Sequence, residues 1–265
     1  MKGLLLTKLF PLHNVSEKKI ACLPIWHYNQ KIRIRCTAFG LNEGGFNIAV
    51  FQFVFDNIER ITEYTANHFS LVLTVLFFSL IIWLAVGLVI SKYDRFASSV
   101  IALANIIFII PSISLFGLFV TIPQLGLGRK SAALALILYA MMPLVRSVYR
   151  GVKSTDKSVI EAGRGMGMSA MQVLFQIQIP MAWPVVFAGI RITVVLITGM
   201  ATIATFIGER NLGRLIHHGI TRGNAEMIVA GAVIVSLISL FLDFIMGKIE
   251  KKVTSPGLKR NINFR

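Results

Sequence analysis

Glu161-Ala162-Gly163-Arg164-Gly165-Met166-Gly167, followed after nine residues by Ile177-Gln178-Ile179-Pro180, lies between two strongly apolar blocks. Basic residues crowd its N-terminal side: Arg146, Arg150, Lys153, Lys157 and Arg164. The first half is a small-residue turn, the second a mildly amphipathic segment. A soluble domain rarely separates two blocks of bilayer-spanning length with so basic and glycine-rich a connection. A membrane protein does so when a cytoplasmic loop must present a compact helix to something in the cytosol.

Composition agrees. The 265 residues are 55% hydrophobic, with mean hydropathy +0.72. Apolar runs of about 20 residues are membrane-span candidates, because a helix must cross ~30 Å of hydrocarbon. Only helices and closed barrels satisfy the backbone there, and runs that are continuous rather than alternating select helices. The formal net charge of +15 would suggest nucleic acid in a soluble protein. Here Lys and Arg accumulate on loops, as they do on the cytoplasmic side of membrane proteins, and no nucleic-acid motif accompanies them. Cys22 and Cys36 match no zinc spacing and do not establish a disulfide.

Working outward, the apolar runs give about five spans: 71–90, 99–122, 131–149, 182–207 and 227–247. Pro111 and Pro143 fall within two of them and predict kinks. Residues 46–69 mix apolar and charged side chains and read as an interfacial helix leading into the membrane. Residues 1–47 are basic and contain no spanning run. They read as a disordered extension or a misassigned start, and 251–265 as a basic tail. Odd-numbered crossing puts Lys92, Arg95, the 161–180 stretch, Lys248, Lys251 and Lys252 on one side. That richer side is cytoplasmic by the positive-inside rule, and the C-terminus with it.

The 161–180 stretch resembles the cytoplasmic "EAA" loop of ATP-binding-cassette importer permeases. That pattern is Glu-Ala-Ala, three residues, Gly, nine residues, then Ile-x-Leu-Pro. Glu161, Ala162, Gly167, Ile177 and Pro180 match, Gly163 replaces the second Ala, and Ile179 replaces Leu. From about 60 to 250 the chain is similar to one branch, the permeases for glycine betaine, choline and carnitine. Ala188-Gly189-Ile190-Arg191, Ile207-Gly208, Leu212-Gly213, His218-Gly219-Ile220 and Leu242-Asp243-Phe244 continue that likeness.

The resemblance implies an all-α polytopic fold of the type I importer kind, in a bacterial inner membrane. It implies a second permease copy, two cytosolic ATP-binding subunits and an extracytoplasmic substrate-binding protein, with lipid around them and no nucleic acid. ATP then belongs to the partner subunit, and this chain carries no cofactor, metal or catalytic residue. The expected ATPase-docking set is Glu161, Ala162, Gly163, Gly165, Gly167, Ile177, Ile179 and Pro180. Met166, Met168, Met171, Leu174 and Phe175 are candidates to fill a groove on the ATPase, since Met suits an adaptable interface. Pro180 is expected to break the chain before the fourth span.

Arg191 and Asp243 fall inside the fourth and fifth candidates. Charges at that depth are costly and are paired or face a cavity. At 1.5 Å per residue their depths are comparable, so they either meet, within a chain or between copies, or snorkel separately. Glu209, His217 and His218 belong to the fourth-to-fifth connection, read as a solvated loop or a receptor-contact loop. The alternatives are a permease for an amino acid such as methionine, and an intramembrane enzyme. The enzyme would need H-E-x-x-H or paired Asp at membrane depth, and neither is present. Gly126-Leu127-Gly128-Arg129-Lys130-Ser131 lacks phosphate-loop spacing.

Overall fold

The structure is a computed structural model that describes residues 43–253; residues 1–42 and 254–265 lie outside it. The readings of the N-terminal segment and of the C-terminal tail therefore fall outside the described residues, apart from their inner edges. Among the described residues every element is helical: α1 (Glu43–Asp56), α2 (Ile58–Lys92), α3 (Asp94–Ile109), α4 (Ser112–Val120) and α5 (Arg129–Lys153). Then come α6 (Lys157–Gly165), α7 (Ala170–Gln172), a π-helical segment Val173–Gln178, α8 (Ile179–Ala201) and a 3-10 turn Thr202–Ile207. α9 (Gly213–Arg222) and α10 (Ala225–Val253) complete the order.

α5 is the central helix, packed by α2, α3, α4 and α8. Its buried face alternates small with large side chains: Ala132, Ala135, Leu136, Tyr139, Ala140 and Leu144. Small residues let helix backbones approach where apolar lipid gives no hydrophobic drive to associate. Gly189 of α8 shows the closeness, because a Cβ there would collide with the Ser147 side chain of α5. Leu71, Val72 and Val75 of α2, Phe116 of α4 and Ile197 of α8 fill the remainder of the core. The Trp83 indole donates to the Ile137 carbonyl of α5 at 2.6 Å, so this tryptophan joins two spans.

Four helices are long and apolar enough to cross a membrane, and a bent pair makes a fifth candidate when its two halves count as one span. The second expected span, 99–122, is that pair. α3 and α4 meet at 94° because Pro111 cannot donate and forces Ile110 out of helical backbone, to ψ 127. The Tyr139 hydroxyl donates to the freed Ile110 carbonyl and so satisfies the break. Pro143, by contrast, sits inside an unbroken α5.

Two further expectations are corrected. Of the expected lead-in helix, residues 46–56 belong to the separate helix α1, but residues 58–69 are continuous with the first span. α2 runs 35 residues without a break, roughly 50 Å at 1.5 Å per residue, and overshoots a 30 Å hydrocarbon layer. Its early turns bury Ile61 and Tyr64 against Leu212, Leu215, Met227 and Val235, a second, smaller core. The connection between the fourth and fifth spans is likewise no solvated loop. It forms α9, which buries Gly213, Leu215 and Gly219 against α10. Glu209 is itself buried, 3.7 Å from Arg129, and burial pushes its carboxyl up against the pull of that guanidinium.

Candidate functional site: the 161–180 docking element

The element begins where α5 ends. Asp156 caps α6 by accepting from the Ser158 backbone N–H at 2.9 Å and from its hydroxyl at 3.0 Å. Those donors hold the Asp156 carboxyl below the usual carboxylate range. At the other end the Met168 N–H reaches the Gly163 carbonyl at 3.1 Å and the Gly167 N–H reaches Arg164 at 2.9 Å. This is the paired closure of a Schellman turn, which needs a left-handed residue just past the helix. Gly167, at φ +85, supplies it.

After the turn the chain re-enters helix at once. Ser169 and Gln172 form a reciprocal capping box, side chain to backbone in both directions. The Ser-x-x-Gln spacing 169–172 is a sequence signal for a helix start, and it places the second half of the element on a helix. That helix then runs through the π segment into α8 without a stop, giving one helical body from Ala170 to Ile207.

Pro180 is therefore not a break. It occupies the first turn of α8, and the Ile179 N–H ahead of it reaches back five residues to Leu174. The wide π turn leaves room for a proline ring that would otherwise press on the carbonyl four residues earlier.

Gly163 is the contact between the two halves. It is buried, and a Cβ there would lie 2.8 Å from the Ile177 Cδ1, 3.3 Å from the Met168 sulfur and 3.6 Å from Val173. α6 thus lies against the π segment at van der Waals closeness. Gln178 donates to the Val152 carbonyl at 3.5 Å, tying the same helix to the end of α5. Glu161, Ala162 and Gly165 are exposed, Ile177 and Ile179 are half-buried, and Pro180 is exposed.

The apolar candidates divide. Met166, Met171 and Phe175 are exposed, at 77%, 46% and 55%. Leu174 is a correction: it is buried in the main core and unavailable to a partner. Met168 is half-buried beside Gly163. The outward surface is a short helix with an acidic residue, flanked by two methionines and a phenylalanine. Its inward surface is fixed to two spanning helices.

Arg191 and Asp243 meet within one chain. The Arg191 Nε and Nη2 donate to the two carboxylate oxygens, the second at 2.6 Å. A third partner, Glu250, which sequence reasoning did not identify, lies 3.6 Å from Nη1. Glu250 is seven residues after Asp243 on α10, two helical turns along the same face. All three side chains are partly exposed on the single chain. Among the described residues no group of His, Cys, Asp and Glu could hold a metal ion.

The described residues thus form a helical bundle with several apolar helices long enough to cross a membrane and a capped helix, α6, held against its end. Residues 79–255 match the family described as "Binding-protein-dependent transport system inner membrane component", and the chain belongs to that family. It is 31% identical over 80% of its length, and 96% of the relative's, to the choline transport system permease protein OpuBB of Bacillus subtilis. To the glycine betaine/carnitine/choline permease protein OpuCB of the same organism it is 33% identical, covering 74% and 89% of the two chains. To the osmoprotectant import permease protein OsmW of Salmonella typhimurium it is 34% identical, covering 78% and 98%. The fold is that of a chain of the MetNI methionine transporter in an inward-facing conformation, with TM-score 0.66 at 22% identity, covering 76% and 99%.

The chain is thus an inner-membrane component of an ATP-binding-cassette importer, which implies ATP-binding and substrate-binding partners. It is not an enzyme; ATP hydrolysis is done by a separate subunit.

Proposed function

We infer that this chain forms the translocation path of an importer for a quaternary-ammonium osmoprotectant such as glycine betaine, choline or carnitine. Residues 161–180 are its ATPase-docking element. Support for the substrate class comes from the relatives named above, whose names carry those compounds. Support for the docking role rests on one observation: a capped helix, exposed on one side, held by Gly163 against a helix that continues into the membrane. A rigid element transmits displacement, whereas a floppy loop dissipates it.

The assembly is a permease pair, homo- or heteromeric, with two ATPase subunits on the cytosolic side and a binding protein outside. Lipid covers the remaining apolar faces, and this chain holds no cofactor. The C-terminus is cytosolic, and the basic surplus serves orientation rather than nucleic-acid binding. Arg191 and Asp243 act as an intramembrane structural pair.

The test is co-purification from detergent with the candidate ATPases, comparing wild type with Glu161→Lys/Gly167→Trp at matched expression. Wild type should bring down an ATPase and the variant should not; equal capture would sink the docking role. Uptake of labelled glycine betaine, choline, carnitine and methionine by the reconstituted system decides the substrate. Transport of methionine alone would overturn the osmoprotectant reading.

A further inference from the structure

A cavity of about 340 Å³ opens between the ends of α2 and α5 and the α6 docking helix. Four cations from three elements line it: Lys92 at the end of α2, Lys153 at the end of α5, and Lys157 and Arg164 in the first and last turns of α6. No Asp or Glu lines it. Of the four, only Lys153 has a carboxylate partner among the described residues, Asp94 at 2.7 Å. The cavity wall also contains Thr155, which is 7% exposed and whose Oγ1 has no hydrogen-bond partner. A buried hydroxyl left unsatisfied is unfavourable, and so is like charge gathered around one hollow. A ligand with several acceptor oxygens and negative charge relieves both at once.

We propose that this cavity binds a phosphate group, which ties the docking helix α6 to the ends of α2 and α5. Phosphate offers acceptors to Thr155 and charge to the four cations, and Lys suits it as a point charge. Lys92 and Lys153 end membrane-crossing helices, the depth at which lipid headgroups lie and at which basic clusters attract anionic lipid. The group is therefore carried either by an anionic phospholipid or by a soluble phosphate. The site goes beyond the transport reading above and depends neither on the substrate nor on the ATPase.

Native mass spectrometry of the full chain in neutral detergent, titrated with phosphatidylglycerol or phosphatidylcholine, tests the lipid source. Thermal unfolding with inorganic phosphate, against chloride at equal ionic strength, tests the soluble one. Lys157→Gln/Arg164→Gln removes two cavity charges, and Lys248→Gln/Lys252→Gln removes two charges from the last turns of α10. Wild type should prefer phosphatidylglycerol and hold it. At about five-fold per basic residue, the cavity variant should bind it on the order of 25-fold more weakly, and the α10 variant within a few-fold of wild type. Thr155→Val leaves every charge in place and should still weaken binding several-fold, without lowering stability in anion-free detergent.

A phosphate-specific rise in melting temperature, lost in the cavity variant, would identify soluble phosphate as a ligand. Lipid preference without that rise would identify the headgroup. Binding of both probes unchanged in the cavity variant and in Thr155→Val would overturn the proposal. So would equal loss in the α10 variant, because the effect would then be diffuse charge. A cavity variant that melts early without anion defers to Thr155→Val, whose unchanged binding of both phosphatidylglycerol and inorganic phosphate would overturn the site alone.

Discussion

Gly163 shows how far one residue constrains the docking element. Alanine there gains about 0.5–1 kcal/mol of helix propensity and meets the flexible tips of Ile177, 2.8 Å away, and Met168, 3.3 Å away, both free to shift. Gly163→Ala should therefore change thermal stability by less than about 1 kcal/mol and keep ATPase capture. Gly163→Leu must displace Ile177, Met168 and Val173 together, which costs about 1–3 kcal/mol as overpacking and tilts α6. It should lose capture, and Gly163→Leu/Ile177→Ala should restore part of it; capture by Gly163→Leu equal to wild type would refute the packing argument. The Arg191 pair makes a second prediction. Arg191→Leu leaves Asp243 and Glu250 facing each other without the cation both contact. A carboxylate left without its cation on an apolar helix is unfavourable, readable as lower yield of folded protein and earlier unfolding in detergent. Arg191→Leu/Asp243→Leu should be the more stable of the two variants. If the single variant matches wild type, the pair is structurally idle.

At the scale of elements, hydropathy made the long helices legible, since a continuous apolar run has one structural solution in lipid. It could not show how those helices end or bend. Pro111, Pro143 and Pro180 look alike in sequence, yet one breaks a span, one is absorbed in α5, and one follows a π turn. The difference lies in tertiary partners: the Tyr139 hydroxyl rewards the break at Ile110, and Leu174 anchors the π turn in the core. α9 escaped because its polar face dominates a short segment, and its buried residues become apolar contacts only when α10 folds back on it. The motif spacing located the docking element, but the continuity of its second half with α8 depends on the π segment. That continuity carries a prediction. Deleting Gln176 converts the π segment to α-helical register and rotates α6 by roughly 100° about the α8 axis. The shortened chain should remain monodisperse in detergent but fail to capture an ATPase. Capture at wild-type level would mean that the orientation of α6 relative to α8 is not what the partner reads.

For the whole molecule, contacts between elements sort the helix ends into two groups. Lys153 with Asp94, Gln178 with Val152, and Arg191 with Glu250 gather the ends of α2, α5 and α10 with the starts of α3 and α8. The Gly128 N–H to the Ile207 carbonyl at 2.8 Å, and Arg129 to Ser70 at 2.7 Å, gather the opposite ends. The docking element lies with the first group. That group also holds Lys92, Arg95, Arg146, Arg150, Lys157 and Arg164, and the orientation proposed above puts this basic end in the cytosol. The second group carries α9 and its two histidines, which the proposed orientation puts on the outer side. Single cysteines introduced at His218→Cys and Lys252→Cys, with Cys22 and Cys36 replaced by serine, should therefore react differently with a membrane-impermeant maleimide on intact cells. The first should label directly and the second only after the membrane is opened. The reverse pattern would invert the molecule and put α6 where no cytosolic ATPase could reach it. Labelling of both before opening would instead show that α10 does not complete its crossing, and the odd number of spans would fall with it.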